Sequence, residues 1–127
     1  MTITEMLKEY HKTSRLATGV DISTADDKLL YMRWDLIEEE FSELDEVMWS
    51  LCSKGPMEDA LKEMADLVYV IVGWCVTFGY DFDEVFKRVH ENNMGRMYQP
   101  DGTIKYRDDG KVMKNKDYPP INLKDLM

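Results

Sequence analysis

Long hydrophobic runs are missing from this sequence of 127 residues. The longest uncharged segment, Leu67 to Tyr80, has 14 residues, whereas a helix needs about 20 apolar residues to cross a bilayer. The N-terminal segment MTITEMLKEYHKTSR also lacks the apolar core of a signal peptide. We therefore expect no membrane partner and a cytoplasmic location.

Cysteine is equally scarce. Cys52 and Cys75 stand in apolar helical surroundings and form no CxxC motif, which favours buried free thiols in a reducing compartment. A Glu-x-x-His motif is missing too, because Lys87 stands three residues before His90. Its absence argues against a di-iron carboxylate bundle.

Basic residues are few and unevenly placed. The chain has 16 basic and 25 acidic side chains, a net charge of −9. Residues 1–95 hold 9 basic and 20 acidic side chains, whereas residues 96–127 hold 7 and 5. The acidic body argues against nucleic acid as a partner, because phosphate neutralisation needs a basic surface. It suits cations, or an anionic substrate that arrives with a metal.

The apolar spacing predicts four helices and an irregular C-terminal arm. The helices are expected over Thr4–Lys12, from about Asp27 to Lys54, from Pro56 to Phe78, and from Asp81 to about Met94. Two Asp-Gly turn signals and a Pro-Pro pair in the arm predict a loop or small hairpin followed by an extended segment. We predict one domain, 1–127, with a helical body over 1–95 and an arm over 96–127. Its fold class is an all-α, antiparallel four-helix bundle.

The second predicted helix separates its acids into two groups. Apolar residues recur along it at alternating spacings of four and three, and they form a seam for packing: Leu30, Trp34, Ile37, Phe41, Leu44, Met48 and Leu51. At about 100° per residue, most acids fall on the opposite, solvated side. Glu40 and Glu43 instead lie on the shoulder of the seam, and Glu39 lies at the edge of the same strip.

The third predicted helix repeats this arrangement with Glu63 and Asp66. A Gly-Pro pair at residues 55 and 56 is expected to fold the two helices into an antiparallel hairpin. Glu43 precedes Gly55 by 12 residues and Asp66 follows it by 11. At about 1.5 Å per residue, the two acid pairs reach nearly the same height.

Four carboxylates in one partly apolar cleft repel each other, unless their pKa values rise or cations hold them together. A donor set made only of oxygen suits Mg²⁺ or Mn²⁺. The alternative is that both pairs are ordinary surface acids beside Lys62 and Arg33.

These residues also form a family pattern. Glu39-Glu40-Phe-Ser-Glu43 is an E-E-x-x-E motif and Glu63-Met-Ala-Asp66 is an E-x-x-D motif, followed by HENNM and DGKVMK segments. Together they resemble the all-α nucleoside triphosphate pyrophosphohydrolases, the MazG-like and phosphoribosyl-ATP pyrophosphohydrolase-like superfamily, in its short phage and bacterial type. The resemblance covers most of the chain. Gly95-Arg96 departs from the small residue and Lys that members often have.

The resemblance implies that a nucleoside triphosphate is cleaved between its α and β phosphates, giving a monophosphate and pyrophosphate. Glu39 would orient or deprotonate the attacking water. Mg²⁺, for which Mn²⁺ can substitute, would be held by Glu40, Glu43, Glu63 and Asp66.

Substrate contacts are expected from five other residues. Arg96, Lys111 and Lys114 are candidates for phosphate binding, because charge-assisted hydrogen bonds to phosphate need cations. Asn93 is a candidate for sugar or phosphate, and Trp34 for stacking on the base. The alternatives are solvated surface cations, a helix-capping Asn and a core Trp.

The segment LVYVIVGWCVTFG at residues 67–79 is apolar almost all round, so we expect a homodimer or a dimer of dimers. Three functions remain open. The first is a nucleoside triphosphate pyrophosphohydrolase, with a lean toward deoxynucleotides such as dGTP. The second is phosphoribosyl-ATP pyrophosphohydrolase of histidine synthesis, and the third is a non-catalytic acidic helical interaction module.

Overall fold

The computed structural model describes residues 1–52 and 55–127, without the side chains of residues 51 and 52. Within these residues the chain forms four α-helices: α1 Ile3–Ser14, α2 Asp27–Cys52, α3 Met57–Thr77 and α4 Phe82–Arg96. The predicted all-α class is confirmed. The expected end of α2 at Lys54 lies outside the described residues. No helix in the described part is long and apolar enough to cross a membrane.

Helix α1 begins at a capping box. The backbone N–H of Glu5 donates to the Thr2 hydroxyl at 3.1 Å, and the Thr2 N–H donates back to the Glu5 carboxylate at 3.0 Å. This satisfies two free donors of the first turn. The helix ends where Arg15 adopts a left-handed conformation with φ of 56°. It is therefore longer than the predicted Thr4–Lys12 at both ends.

Helices α2 and α3 form the expected antiparallel hairpin. Arg33 lies against Gly73, whereas Glu40 lies beside Asp66, further toward the hairpin turn. Residue numbers therefore rise on one helix as they fall on the other.

Helix α1 packs on the same α3 helix. Its Leu7 is buried against Val72 and Val76, with Phe82 packed beside them. Tyr10, one turn further along α1, meets the ring of Tyr69 at a centroid distance of 5.3 Å. These contacts fix one face of α1 against α3, next to the α2–α3 hairpin.

Helix α3 ends at Thr77, one residue before the predicted end at Phe78, and Gly79 closes its C-terminal turn. Gly79 has φ of 72° and donates its N–H to the Val76 carbonyl at 3.3 Å, and the Tyr80 N–H donates to the Cys75 carbonyl at 2.9 Å. This pair of bonds is a Schellman motif, which satisfies carbonyls that the last helical turn leaves free.

The predicted seam of α2 is only partly buried. Leu30, Ile37 and Leu44 are half-buried, but Trp34 is 53% exposed and Phe41 is 58% exposed. One copy of the chain therefore covers only part of this apolar surface.

The chain divides into two compact units, residues 1–82 and 83–127. Within the second unit the arm is tied to α4: Arg88 donates to both carboxylate oxygens of Asp125 at 2.6 and 2.9 Å, and the Asn92 amide donates to the Pro119 carbonyl at 3.0 Å. The single domain with a body over 1–95 and an arm over 96–127 stays a prediction.

The arm begins with two turns and a minimal hairpin. Gly102 and Gly110, the second residues of the Asp-Gly pairs, have φ of 81° and 87°, conformations that favour glycine. Tyr106 and Val112 form one antiparallel bridge around the second turn. The predicted loop or small hairpin is confirmed.

Candidate functional site

Four carboxylates meet in the middle of the α2–α3 hairpin. Glu40 and Glu43 come from α2, and Glu63 and Asp66 come from α3. One oxygen of each side chain lies within 4.8 Å of one oxygen of every other. We call these four residues the acid cluster. The convergence expected from the sequence is present in the structure, and the role of the residues as metal ligands stays a prediction.

The acid cluster is electrostatically unsatisfied. Oε2 of Glu40 and Oε2 of Glu63 are buried and have no hydrogen-bond partner. Burial raises the pKa of Glu40, and the neighbouring carboxylates of Glu43, Asp66 and Glu63 raise it further. Burying charged oxygens without partners is unfavourable unless something else compensates them.

Lys62 compensates one side of the acid cluster. Its ammonium lies 2.7 Å from Asp66 Oδ2 and 3.6 Å from Glu63 Oε1, and hydrogen bonding to Asp66 raises the pKa of Lys62. In the described part of the chain, neither Glu40 nor Glu43 has a cation within 4.0 Å. The α2 side of the cluster therefore has no compensating cation among the described residues.

This donor set fits a hard divalent cation. Mg²⁺ binds oxygen at about 2.0–2.1 Å, so ligands on opposite sides of one ion lie about 4.2 Å apart. The observed limit of 4.8 Å is close enough for side-chain rotation to close the difference. The unpaired oxygens of Glu40 and Glu63 are the atoms that a cation would satisfy. Glu40, Glu43, Glu63 and Asp66 are thus suited to hold Mg²⁺ or Mn²⁺.

Glu39 lies beside the acid cluster in sequence but is not part of it in space. It is exposed and lines a different cavity of about 550 Å³, together with Tyr31, Met32 and Leu36. Its oxygens are not among those that converge in the acid cluster. The predicted role in handling the attacking water stays a prediction.

One cavity shares Glu40 and Asp66 with the acid cluster, and Trp34 does not line it. Its indole N–H donates to Glu38 Oε1 at 2.5 Å across an exposed helix surface. The cavity, of about 310 Å³, is lined instead by apolar residues of α1, α2 and α3 and by six polar or aromatic ones: Tyr10, His11, Arg33, Glu40, Asp66 and Tyr69. We call it the Arg33 cavity.

Apart from Glu40 and Asp66, sequence reasoning did not identify the residues of the Arg33 cavity as part of a site. One signal was available: Arg33 precedes Glu40 by seven residues, or two helical turns, which places both on one face of α2. The contributions of Tyr10 and His11 depend on how α1 packs, and spacing within α2 and α3 contains no such information.

The predicted phosphate-binding residues come together within the second unit. Asn93, Arg96, Lys111 and Lys114 all line one cavity of about 460 Å³. The Arg96 guanidinium donates two hydrogen bonds to Asn93 Oδ1, at 2.7 and 3.2 Å. The arrangement gathers three cations around one opening, and their contact with substrate stays a prediction.

The all-α fold and the four carboxylates that meet between two adjacent helices agree with the resemblance found in the sequence. The family profile for phosphoribosyl-ATP pyrophosphohydrolase matches residues 7–93, and the chain belongs to this family, within the MazG-like superfamily. No curated protein sequence matches the chain significantly. The family indicates a pyrophosphohydrolase, an enzyme that hydrolyses phosphoric anhydride bonds. The matched segment contains the acid cluster and ends before Arg96.

Proposed function

We propose that this protein is a Mg²⁺-dependent nucleoside triphosphate pyrophosphohydrolase. Water would add to phosphorus while the anhydride bond between the α and β phosphates breaks, so that the products are a nucleoside monophosphate and pyrophosphate. The observation that carries the proposal is the acid cluster, with its two buried and unpaired carboxylate oxygens.

Different residues are proposed to hold the metal and to act on the attacking water. Bound Mg²⁺ would neutralise phosphate oxygens and lower the pKa of a coordinated water. The four carboxylates of the acid cluster would hold the Mg²⁺ ion. Glu39 is proposed to accept a proton from the attacking water or to orient it, and its exposure leaves its carboxylate accessible to solvent.

Asn93, Arg96, Lys111 and Lys114 are proposed to bind phosphate. The support is that they line one cavity of the second unit, where cations can form charge-assisted hydrogen bonds with an anion. Replacing Lys114 with Met should raise KM about tenfold and leave Mg²⁺ binding unchanged. A KM within twofold of the parent value would remove Lys114 from the proposal.

Phosphoribosyl-ATP is the second candidate substrate, and the family profile favours it. It contains the same kind of α–β anhydride bond, so the acid cluster serves either substrate. A non-catalytic interaction module is disfavoured, because the two acid pairs face each other instead of standing apart in solvent.

The proposal includes a preference for deoxynucleotides such as dGTP and assembly as a homodimer or a dimer of dimers. Exposed apolar side chains on α2 support assembly, since Trp34, Phe41 and Trp49 are between 53% and 71% exposed in one chain. Sedimentation of the protein would show whether this surface is covered by a second copy.

A substrate panel tests the reaction. Deoxynucleoside triphosphates, ribonucleoside triphosphates and phosphoribosyl-ATP are each incubated with Mg²⁺ or Mn²⁺, and pyrophosphate is resolved from orthophosphate. We expect monophosphate and pyrophosphate as first products. Orthophosphate as the first product would refute cleavage between the α and β phosphates, and the substrate with the highest kcat/KM would separate the two candidates.

A matched pair of variants tests the site. Glu43→Gln removes one proposed ligand and should lower kcat/KM by at least about 100-fold. Glu46→Gln, an equal change at an exposed position on the same helix, should remain within about twofold. Equal activity in the two variants would mean that the acid cluster is not the metal site.

A further inference from the structure

Arg33 is a buried cation with an unpaired N–H group. Its side chain is only 5% exposed, and its Nε–H group has no hydrogen-bond acceptor. Among residues 1–52 and 55–127, no carboxylate lies within 4.0 Å of its guanidinium. Arginine stays protonated even when burial lowers its pKa, as it does here. A buried charge of this kind is costly unless a ligand pairs with it.

The surroundings leave space for the guanidinium. A Cβ atom on Gly73 would lie 2.5 Å from Arg33 Nη2 and 3.3 Å from His11 Nε2, so a side chain at position 73 would displace the guanidinium. His11 Nδ1 lies 3.1 Å from the Ala17 carbonyl, an acceptor, so Nδ1 carries the proton of the neutral ring. Burial lowers the pKa of His11, which favours that neutral form.

The Arg33 cavity has the size and walls of a site for a planar ring. Its volume of about 310 Å³ is at the lower end of small-molecule sites, enough for a nucleoside and too small for a whole triphosphate. Tyr10 and Tyr69 form one aromatic wall, and Leu7, Leu36 and Val70 are among its apolar residues. Such walls suit a ring better than a phosphate group.

The cavity also opens onto the acid cluster, because Glu40 and Asp66 line both. A nucleotide whose phosphates are held at the cluster therefore has a site for its base within the same unit of the chain.

We propose that the Arg33 cavity binds the nucleobase and that Arg33 selects bases with two adjacent acceptors on one edge. Guanine, with O6 and N7, and cytosine, with O2 and N3, have such an edge. Guanidinium only donates hydrogen bonds and matches two neighbouring acceptors in a bidentate manner. Adenine presents an amino donor beside N7, which leaves one N–H of the guanidinium unpaired. This inference rests on the proposed pyrophosphohydrolase function.

Two variants and one control test the selection by hydrolysis. Arg33→Met removes the charge while keeping an apolar side chain, and Gly73→Ala keeps the charge while displacing the guanidinium. The control, Lys8→Met, removes an exposed cation from α1 of the same unit. In the parent protein, kcat/KM for dGTP or dCTP should exceed that for dATP by about 10–100-fold. Both variants should reduce this ratio to about threefold or less, and Lys8→Met should preserve it.

A binding measurement without metal separates the base from the phosphates. Deoxyguanosine, deoxycytidine and deoxyadenosine, which have no phosphate, are titrated in EDTA and followed by saturation-transfer NMR. The parent protein should bind deoxyguanosine or deoxycytidine more tightly than deoxyadenosine, and both variants should lose the difference. If Arg33→Met does not fold, as judged by circular dichroism, Gly73→Ala supplies the result.

The outcomes distinguish this inference from the proposed function. A nucleoside preference that depends on Arg33, in a protein that hydrolyses no nucleoside triphosphate, supports the base site and refutes the proposed nucleoside triphosphate substrate. Hydrolysis with an unchanged base ratio in both variants refutes the role of Arg33. An equal loss for all triphosphates, with no nucleoside preference, would assign the guanidinium to phosphate and overturn the inference.

Discussion

Replacing Glu40 with Gln should change stability in opposite directions without and with metal. Glu40 has a buried, unpaired oxygen and three carboxylates around it. Glutamine has nearly the same shape and no charge, so the variant removes repulsion from the metal-free protein. The same change removes a proposed Mg²⁺ ligand. We therefore expect the metal-free variant to be more stable than the parent, and the Mg²⁺-loaded variant to lose that advantage.

The distances set the scale of the metal-free effect. Two unit charges 4.8 Å apart repel by about 0.9 kcal/mol in bulk water and about 3.5 kcal/mol at an effective dielectric constant of 20. Glu43 is exposed and Asp66 is paired with Lys62, so much of the repulsion is screened. Removing the Glu40 charge should raise the free energy of unfolding by about 1–3 kcal/mol, which corresponds to several degrees in Tm.

Magnesium should reverse the order. A ligand that binds only the folded state at 100 times its Kd stabilises it by about 2.7 kcal/mol. The parent protein should gain about this much at saturating Mg²⁺, and the Glu40→Gln variant should gain much less. Thermal unfolding with Mg²⁺ and with EDTA measures both gains. Glu46→Gln is the control, expected to gain as much as the parent.

Two results would refute the reasoning. A metal-free Glu40→Gln protein that is less stable than the parent would show that the carboxylate contributes favourable contacts. Equal stabilisation of parent and variant by Mg²⁺ would show that the ion binds elsewhere.

Three further changes have expected outcomes. Glu39→Gln should reduce hydrolysis by about 100-fold while keeping the full Mg²⁺ stabilisation, because the proposed role of Glu39 is to handle the attacking water and not to hold the metal; loss of both would make Glu39 a ligand. In the absence of metal, the free energy of unfolding should fall as pH rises through and above the ordinary pKa range of a glutamate. The reason is that the raised pKa of Glu40 lets the folded state bind more protons there than the unfolded state. Urea titrations at several pH values measure this fall, and Glu40→Gln should lack the part that Glu40 contributes. Gly79→Ala should cost about 1–2 kcal/mol in urea unfolding, because φ is 72° and the added Cβ would lie 3.2 Å from Gly19 Cα; an unchanged unfolding midpoint would contradict this.

The hairpin and its acids could be predicted because both depend on distances along the chain. Helical periodicity identified the side of α2 that carries Glu40 and Glu43, and the Gly-Pro pair fixed the turn. Equal distances from that turn then placed Asp66 level with Glu43. In a helical hairpin, spacing in sequence converts directly into height in space.

The Arg33 cavity could not be predicted in this way. Tyr10 and His11 reach it only because α1 packs on α3, and no spacing rule specifies which face of α1 meets which turn of α3. Trp34, the expected base contact, is next to Arg33 in sequence but about 100° away around the helix. That rotation leaves Trp34 on an exposed surface while Arg33 is buried.

Arg33 and Glu40 make the strongest joint argument for a ligand. Both line the Arg33 cavity, they carry opposite charges, and each has a buried polar atom without a partner. Yet no ion pair joins them, and burial, followed by the neighbouring carboxylates, raises the pKa of Glu40. A protein selected for stability alone would pair two such groups or replace them with apolar residues. Because Arg33 and Glu40 are not paired, the cavity has a hydrogen-bond donor at one end and carboxylates at the other. This arrangement matches a molecule that has an acceptor-rich ring at one end and a metal-bound polyphosphate at the other.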